Sequence, residues 1–202
     1  YGAAVGGAVP MIEAIERAPE IASIDAILNG TSNFVLSRCS EGTSLEAAVR
    51  AAQAAGFAEL DPNEDLSGRD AVRKLRILCR LAFGSEAEYI QAEPIDALTI
   101  ARKQALLQPN QVLRQIAHAS RNGDTIDARV TIQAVPSDSG FGRTTDEFNR
   151  LAISYRDGTI STIHGRGAGG WPTAEAIIGD LRGLRRRERH SDRRRAENTR
   201  RK

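Results

Sequence analysis

The sequence predicts an α+β fold: an open, largely antiparallel sheet covered on one face by helices. Three observations carry that prediction. Helical spacing of apolar residues dominates the stretch up to about residue 83, and alternating runs fill residues 111–165. An Asp-Gly pair, Asp157 and Gly158, separates the last two of those runs as a hairpin turn would.

Taken in order, Met11, Ile12, Ala14 and Ile15 follow Pro10 with helical spacing, so a helix is expected over residues 10–18. Ile21 to Leu28 alternates as a strand and ends at Asn-Gly-Thr-Ser-Asn, a sharp turn. Thr31 or Ser32 can cap the helix that then carries Phe34, Val35 and Leu36. An alanine-rich helix is expected from Ser44, as N-cap, to Ala55, with Gly56 closing it. The clearest helix runs from Ser67 to Phe83. Its apolar face is Ala71, Val72, Leu75, Leu78, Cys79 and Ala82, its polar face is Asp70, Arg73 and Lys74, and Gly84 stops it. Residues 111–119, 125–135, 150–158 and 159–165 read as strands, and a glycine-rich turn leads into a closing helix from about Pro172. Residues 94–182 are thus expected to supply antiparallel strands, with helices including 67–83 laid over them.

Composition narrows the function. The chain has 202 residues, 41% of them hydrophobic, enough for one sizeable core or two small ones. Its apolar runs are short and interrupted by charge, so neither a transmembrane helix nor a secretory signal is expected within it. Cys39 and Cys79 have no nearby partner, so two reduced thiols in a cytosolic protein are expected. His118, His164 and His190 are too dispersed for a zinc site, and no Ser or Cys nucleophile lies beside a base. Trp171 is expected to anchor the core or a domain contact.

The net charge of +2 conceals an uneven distribution. Residues 183–202 hold ten of the 28 basic and three of the 26 acidic groups, leaving 18 against 23, a net of −5, in residues 1–182. The expectation is an acidic domain over 1–184 followed by a basic, disordered tail over 185–202. The tail has no aromatic to stack on bases, so specific nucleic-acid binding is not expected. The chain also opens on Tyr1 inside a glycine-rich turn, which suggests an excised domain with a segment before it.

The chemistry concentrates between Gly56 and Leu75. Glu59, Asp61, Glu64, Asp65 and Asp70 fall within twelve residues, and Lys74 lies one helical turn past the last. Asp70 and Lys74 share a helix face, which as a surface ion pair is worth a few tenths of a kcal/mol. A helix N-terminus stabilises one or two nearby acids. Five suit a small-molecule site better: acids to bind an amino group, and an ammonium facing a reacting oxygen.

Those residues, Ala55, Gly56, Asp61, Pro62, Asp65, Leu66, Gly68, Asp70 and Lys74, resemble in order the signature of the homoserine dehydrogenases. Three further segments are similar to that family: "AAVGGAVP" at the start, "NGTSNFVL", and the closing "GRGAGGWPTAEAIIGDL". The resemblance spans roughly residues 2–182. It implies NAD(P)-dependent reduction of L-aspartate 4-semialdehyde to L-homoserine, by a homodimer built on the late sheet. By position, Lys74 is implied as proton donor and Asp70 as the group that orients it and binds substrate. Glu59 and Asp65 are implied on the substrate amino group, Gly30 and Thr31 at its other end, and Gly169 at the cofactor. The bland alternatives for Gly30, Thr31 and Gly169 are a turn glycine, a helix cap and close packing. The family also places a monovalent cation, sodium being the expected one, on carbonyls that would be those of Val5, Gly7 and Val9. Gly2 stands where the family has a glutamate for that cation.

The run "GRGAGG", residues 165–170, sits between an expected strand and an expected helix, but at the wrong end of the chain for a dinucleotide-binding unit, and no other Gly-x-Gly-x-x-Gly follows a strand and opens a helix. The family's N-terminal dinucleotide-binding domain is therefore expected to be absent from this chain, which would supply only the edge of the cofactor pocket. The alternative is a truncated, non-catalytic dimerisation or interaction module with a basic tail. Acids gathered around Lys74 favour the enzyme, and acids scattered into solvent favour the module.

Overall fold

Strand β1 (Ile21–Ile27) lies inside the sheet although it comes early in the chain. The computed structural model describes residues 5–167. Around β1 are β2 (Gln91–Ala92), β3 (Gln111–Asn122), β4 (Thr125–Pro136), β5 (Phe148–Tyr155) and β6 (Ile160–Arg166), in the order β2-β4-β3-β1-β5-β6. Every neighbouring pair is antiparallel except β2 and β4. The sheet is open and its class is the one expected. Asp157 and Gly158 form the β5–β6 turn, with Gly158 at φ +85° and the Tyr155 N–H donating to the Thr159 carbonyl at 2.9 Å.

The helices are α1 (Met11–Arg17), α2 (Gly30–Ser40), α3 (Leu45–Ala54), α4 (Asn63–Leu66), α5 (Arg69–Phe83) and α6 (Ala97–Ala105). They cover one face. Under α1 and α5 the core contains Ile24, Leu75, Leu78, Ala117, Val130 and Leu151. A second cluster, with Leu36, Ala48, Ile100, Leu113 and Ile132, packs under α2, α3 and α6. Burial of this apolar stripe stabilises α5 far more than its intrinsic propensity does.

Four details depart from the sequence reading. Residues 97–105 form helix α6 within a stretch expected to give strands, capped by the Asp96 carboxylate on the Thr99 N–H at 2.7 Å. A single helical turn, α4, interrupts the acidic loop. Helix α5 starts at Arg69, after Gly68, not at Ser67. The cap of α2 is Asn29, whose side chain accepts from the Ser32 N–H, in place of Thr31 or Ser32. The Ser44 cap of α3 is as expected. The closing helix, Gly169, Trp171 and the basic tail lie outside the described residues.

Gly68 joins α4 to α5 at φ +78°, and a Cβ there would stand 3.1 Å from the Ala92 Cβ and 3.4 Å from Gln115 Nε2. Left-handed backbone and close approach to the sheet both require glycine. Gly68→Ala is expected to lower unfolding free energy by about 1–2 kcal/mol from the backbone alone, read by urea denaturation.

Both cysteines are free and buried. Burial pushes the Cys79 thiol up to about 11, against a smaller opposing effect of Arg76. The proton is held more tightly in the folded state, so Cys79's contribution is complete below the ordinary thiol range and is lost as pH rises through it towards 11. A thiol reagent at pH 8 should label neither cysteine until the protein is unfolded. Fast labelling of the native protein would contradict this packing.

Candidate functional site

The end of β1, the start of α2 and the first turn of α5 meet at one point. Lys74 projects from α5 and donates to the Leu28 carbonyl at 3.1 Å. Its Nζ also lies 2.7 Å from Asp70 Oδ2, the i,i+4 partner, with the two side chains only 21% and 25% exposed. Asn29 adds the third member. Its Nδ2 donates to Asp65 Oδ1 at 2.6 Å and to Asp70 Oδ2 at 2.7 Å. Two acids and one ammonium are thus brought together by a residue that the sequence reading took for part of a turn.

The remaining acids disperse. Glu64 pairs with Arg69 at 3.0 Å and with Arg73. Asp61 accepts from the Asn63 N–H at 3.1 Å, a local turn contact. Glu59 is exposed on the loop after α3, and its carboxylate bonds to no described residue. That loop is fixed from below: Gln53 Nε2 donates to the Glu59 and Leu60 carbonyls at 3.1 and 3.2 Å. The expected ring of acids around Lys74 therefore reduces to Asp70 in contact and Asp65 alongside.

Gly30 and Thr31 open α2 and are buried. Helix starts leave backbone N–H groups without intrahelical partners, and here the Asn29 side chain takes that of Ser32, while those of Gly30 and Thr31 have no acceptor among the described residues. The Thr31 hydroxyl donates to the Phe57 carbonyl at 2.6 Å, so it ties down the Glu59 loop. The Phe34 and Phe57 rings, with centroids 5.3 Å apart, reinforce that contact.

Val5, Gly7 and Val9 form a turn at the end of β6. The Ala8 N–H donates to the Arg166 carbonyl at 3.1 Å, and the Val9 carbonyl accepts from the Met11 N–H at 2.7 Å. Gly6 and Gly7 both have positive φ, and a Cβ on Gly7 would stand 2.6 Å from the Gly167 carbonyl oxygen. No cluster of three or more His, Cys, Asp or Glu side chains suited to a metal occurs among the described residues. Any cation at this turn would rest on backbone oxygens. No helix among the described residues is long and apolar enough to cross a membrane.

Known proteins are similar to this chain in sequence and in fold. The family model described as homoserine dehydrogenase matches residues 8–181. A homoserine dehydrogenase of Corynebacterium glutamicum is 31% identical over 210 residues, covering 98% of this chain and 47% of its own length. One of Pseudomonas aeruginosa is 35% identical over 188 residues, covering 90% and 43%. Among solved structures, a homoserine dehydrogenase from Thiobacillus denitrificans is similar at a TM-score of 0.81 and 31% identity, over 90% of this chain and 43% of that one. A hyperthermophilic archaeal homoserine dehydrogenase in complex with NADPH reaches 0.74 at 26% identity, over 90% and 53%. The chain spans less than half the length of these two curated relatives.

Thr31→Val keeps the shape of the side chain but strands the Phe57 carbonyl. The expected loss is about 1–3 kcal/mol of stability, measured by chemical denaturation. An unchanged midpoint would remove Thr31 as the anchor of the Glu59 loop.

Proposed function

This chain belongs to the homoserine dehydrogenase family, and on that premise we propose that it is the substrate-binding and catalytic part of an NAD(P)-dependent enzyme interconverting L-aspartate 4-semialdehyde and L-homoserine. The observation that carries the proposal is the Lys74 ammonium, held by Asp70 Oδ2 and the Leu28 carbonyl. An ammonium has three N–H groups. Two are engaged, and the third is left to face a substrate oxygen.

The nicotinamide, when bound, supplies or takes up the hydride at C4. Lys74 gives its proton to the C4 oxygen as negative charge develops there, and in the reverse direction takes the hydroxyl proton. Asp70 fixes the ammonium and binds substrate. Asp65 and Glu59, with the second oxygen of Asp70, would receive the substrate ammonium; Asp65 Oδ2, Asp70 Oδ1 and the Glu59 carboxylate bond to no described donor, which supports that assignment. The Gly30 and Thr31 N–H groups, at the positive end of the 11-residue helix α2, would receive the substrate carboxylate.

Gly169 would approach the cofactor. The dinucleotide itself would be held by the length of the relatives that this chain does not span. A monovalent cation such as sodium would rest on the carbonyls of Val5, Gly7 and Val9. A homodimer would form through the sheet face that no described helix covers, where β6 exposes Ile160 to 65%.

The test is steady-state kinetics of the full protein. Lys74→Ala should lower kcat for homoserine oxidation by about two to four orders of magnitude, with a much smaller change in KM. Lys74→Arg should fail to restore it, because a guanidinium does not release its proton near neutral pH. Near-normal turnover of Lys74→Ala, with a stability change under about 1 kcal/mol, would leave only a surface ion pair.

A further inference from the structure

We propose that Asn29 is a positioning residue of this site, setting the two acids that face the substrate ammonium; the inference rests on the functional reading above. Asn29 is 6% exposed, and every hydrogen-bonding group of its side chain is engaged. Oδ1 accepts from the Ser32 N–H at 2.7 Å, while both Nδ2 protons go to carboxylates, Asp65 Oδ1 at 2.6 Å and Asp70 Oδ2 at 2.7 Å. The opposite flip would aim the amide oxygen at two anions, so the orientation follows from the network.

Two carboxylates converging on one point repel each other. A nitrogen with two donors between them offsets the repulsion with two charge-assisted hydrogen bonds. It also decides which oxygens remain for the ligand. Lys74 and Asn29 share Asp70 Oδ2, so Asp70 Oδ1 and Asp65 Oδ2 are the oxygens without a donor among the described residues. Two such oxygens fit a primary ammonium, which has protons for both. The same turn braces Asp65 a second time, because Ser32 Oγ donates to the Asp65 carbonyl at 3.0 Å.

Capping α2 does not by itself require asparagine. Serine and aspartate supply the same acceptor for the Ser32 N–H, but neither places two N–H donors on one atom. Asn29→Ser and Asn29→Asp therefore separate the cap from the carboxylate bridge.

The experiment compares the full wild-type protein with Asn29→Ser, Asn29→Asp, Asp70→Asn and the Asn29→Ser/Asp70→Asn double variant, in homoserine oxidation with NADP⁺ and NAD⁺. Asn29→Ser should fold and lose about tenfold or more in kcat, and Asn29→Asp should lose more, because it adds a third carboxylate. With Asp70 already changed to Asn, the same Asn29→Ser step should cost under about threefold, the non-additivity expected of residues acting as one unit. Wild-type kinetics in Asn29→Ser, or equal losses in both backgrounds, would overturn the positioning role. Failure of both Asn29 variants to fold would also overturn it, assigning the side chain to the fold. A wild-type protein that turns over homoserine with neither cofactor would sink the functional reading and this inference with it.

Discussion

The ammonium of Lys74 bonds at once to the Leu28 carbonyl, just past β1, and to the carboxylate one turn back on α5. Those contacts lock the strand-to-helix turn at residues 28–30 against the first turn of α5, two pieces of chain more than forty residues apart in sequence. A polar group at the edge of a packed core must find partners there or lose stability. Lys74 finds them by closing the site. The turn of β1, the start of α2 and the acidic loop are all arranged around that closure.

The sheet makes the closure rigid. β1 pairs with β3 on one side and β5 on the other, so its last residues are held in register by both neighbours. Helix α5 is fixed independently by Ala71, Leu75, Leu78 and Cys79 in the larger core. Gly68 lets the acidic loop run close over β2 and β3 before α5 begins. Groups carried on a strand end and a packed helix are placed more accurately than groups on a free loop. By contrast Glu59 sits on an exposed loop tied by Gln53, Thr31 and the Phe34–Phe57 contact.

Periodicity made α1, α3 and α5 legible, and alternation with the Asp157–Gly158 pair gave the late strands. Helix α6 escaped because it buries only Ile100 and exposes Leu98, leaving little amphipathic pattern to read. Strand order could not be read, since β1 inserts between β3 and β5 with no local signal. Local spacing also misjudged the acids: Glu64 is matched by Arg69 and Arg73, and Asp61 by a backbone N–H two residues on. Asn29 was hidden for the opposite reason. Its partners lie 36 and 41 residues away, and an Asn-Gly step reads first as a turn.

The most direct measurement is a crystal structure of the full protein with L-homoserine bound. The substrate hydroxyl is predicted within roughly 3 Å of Lys74 Nζ, the reach a proton transfer requires, with its ammonium on Asp65 Oδ2 and Asp70 Oδ1. Homoserine bound with its hydroxyl turned away from Lys74, or with its ammonium on neither acid, would contradict it.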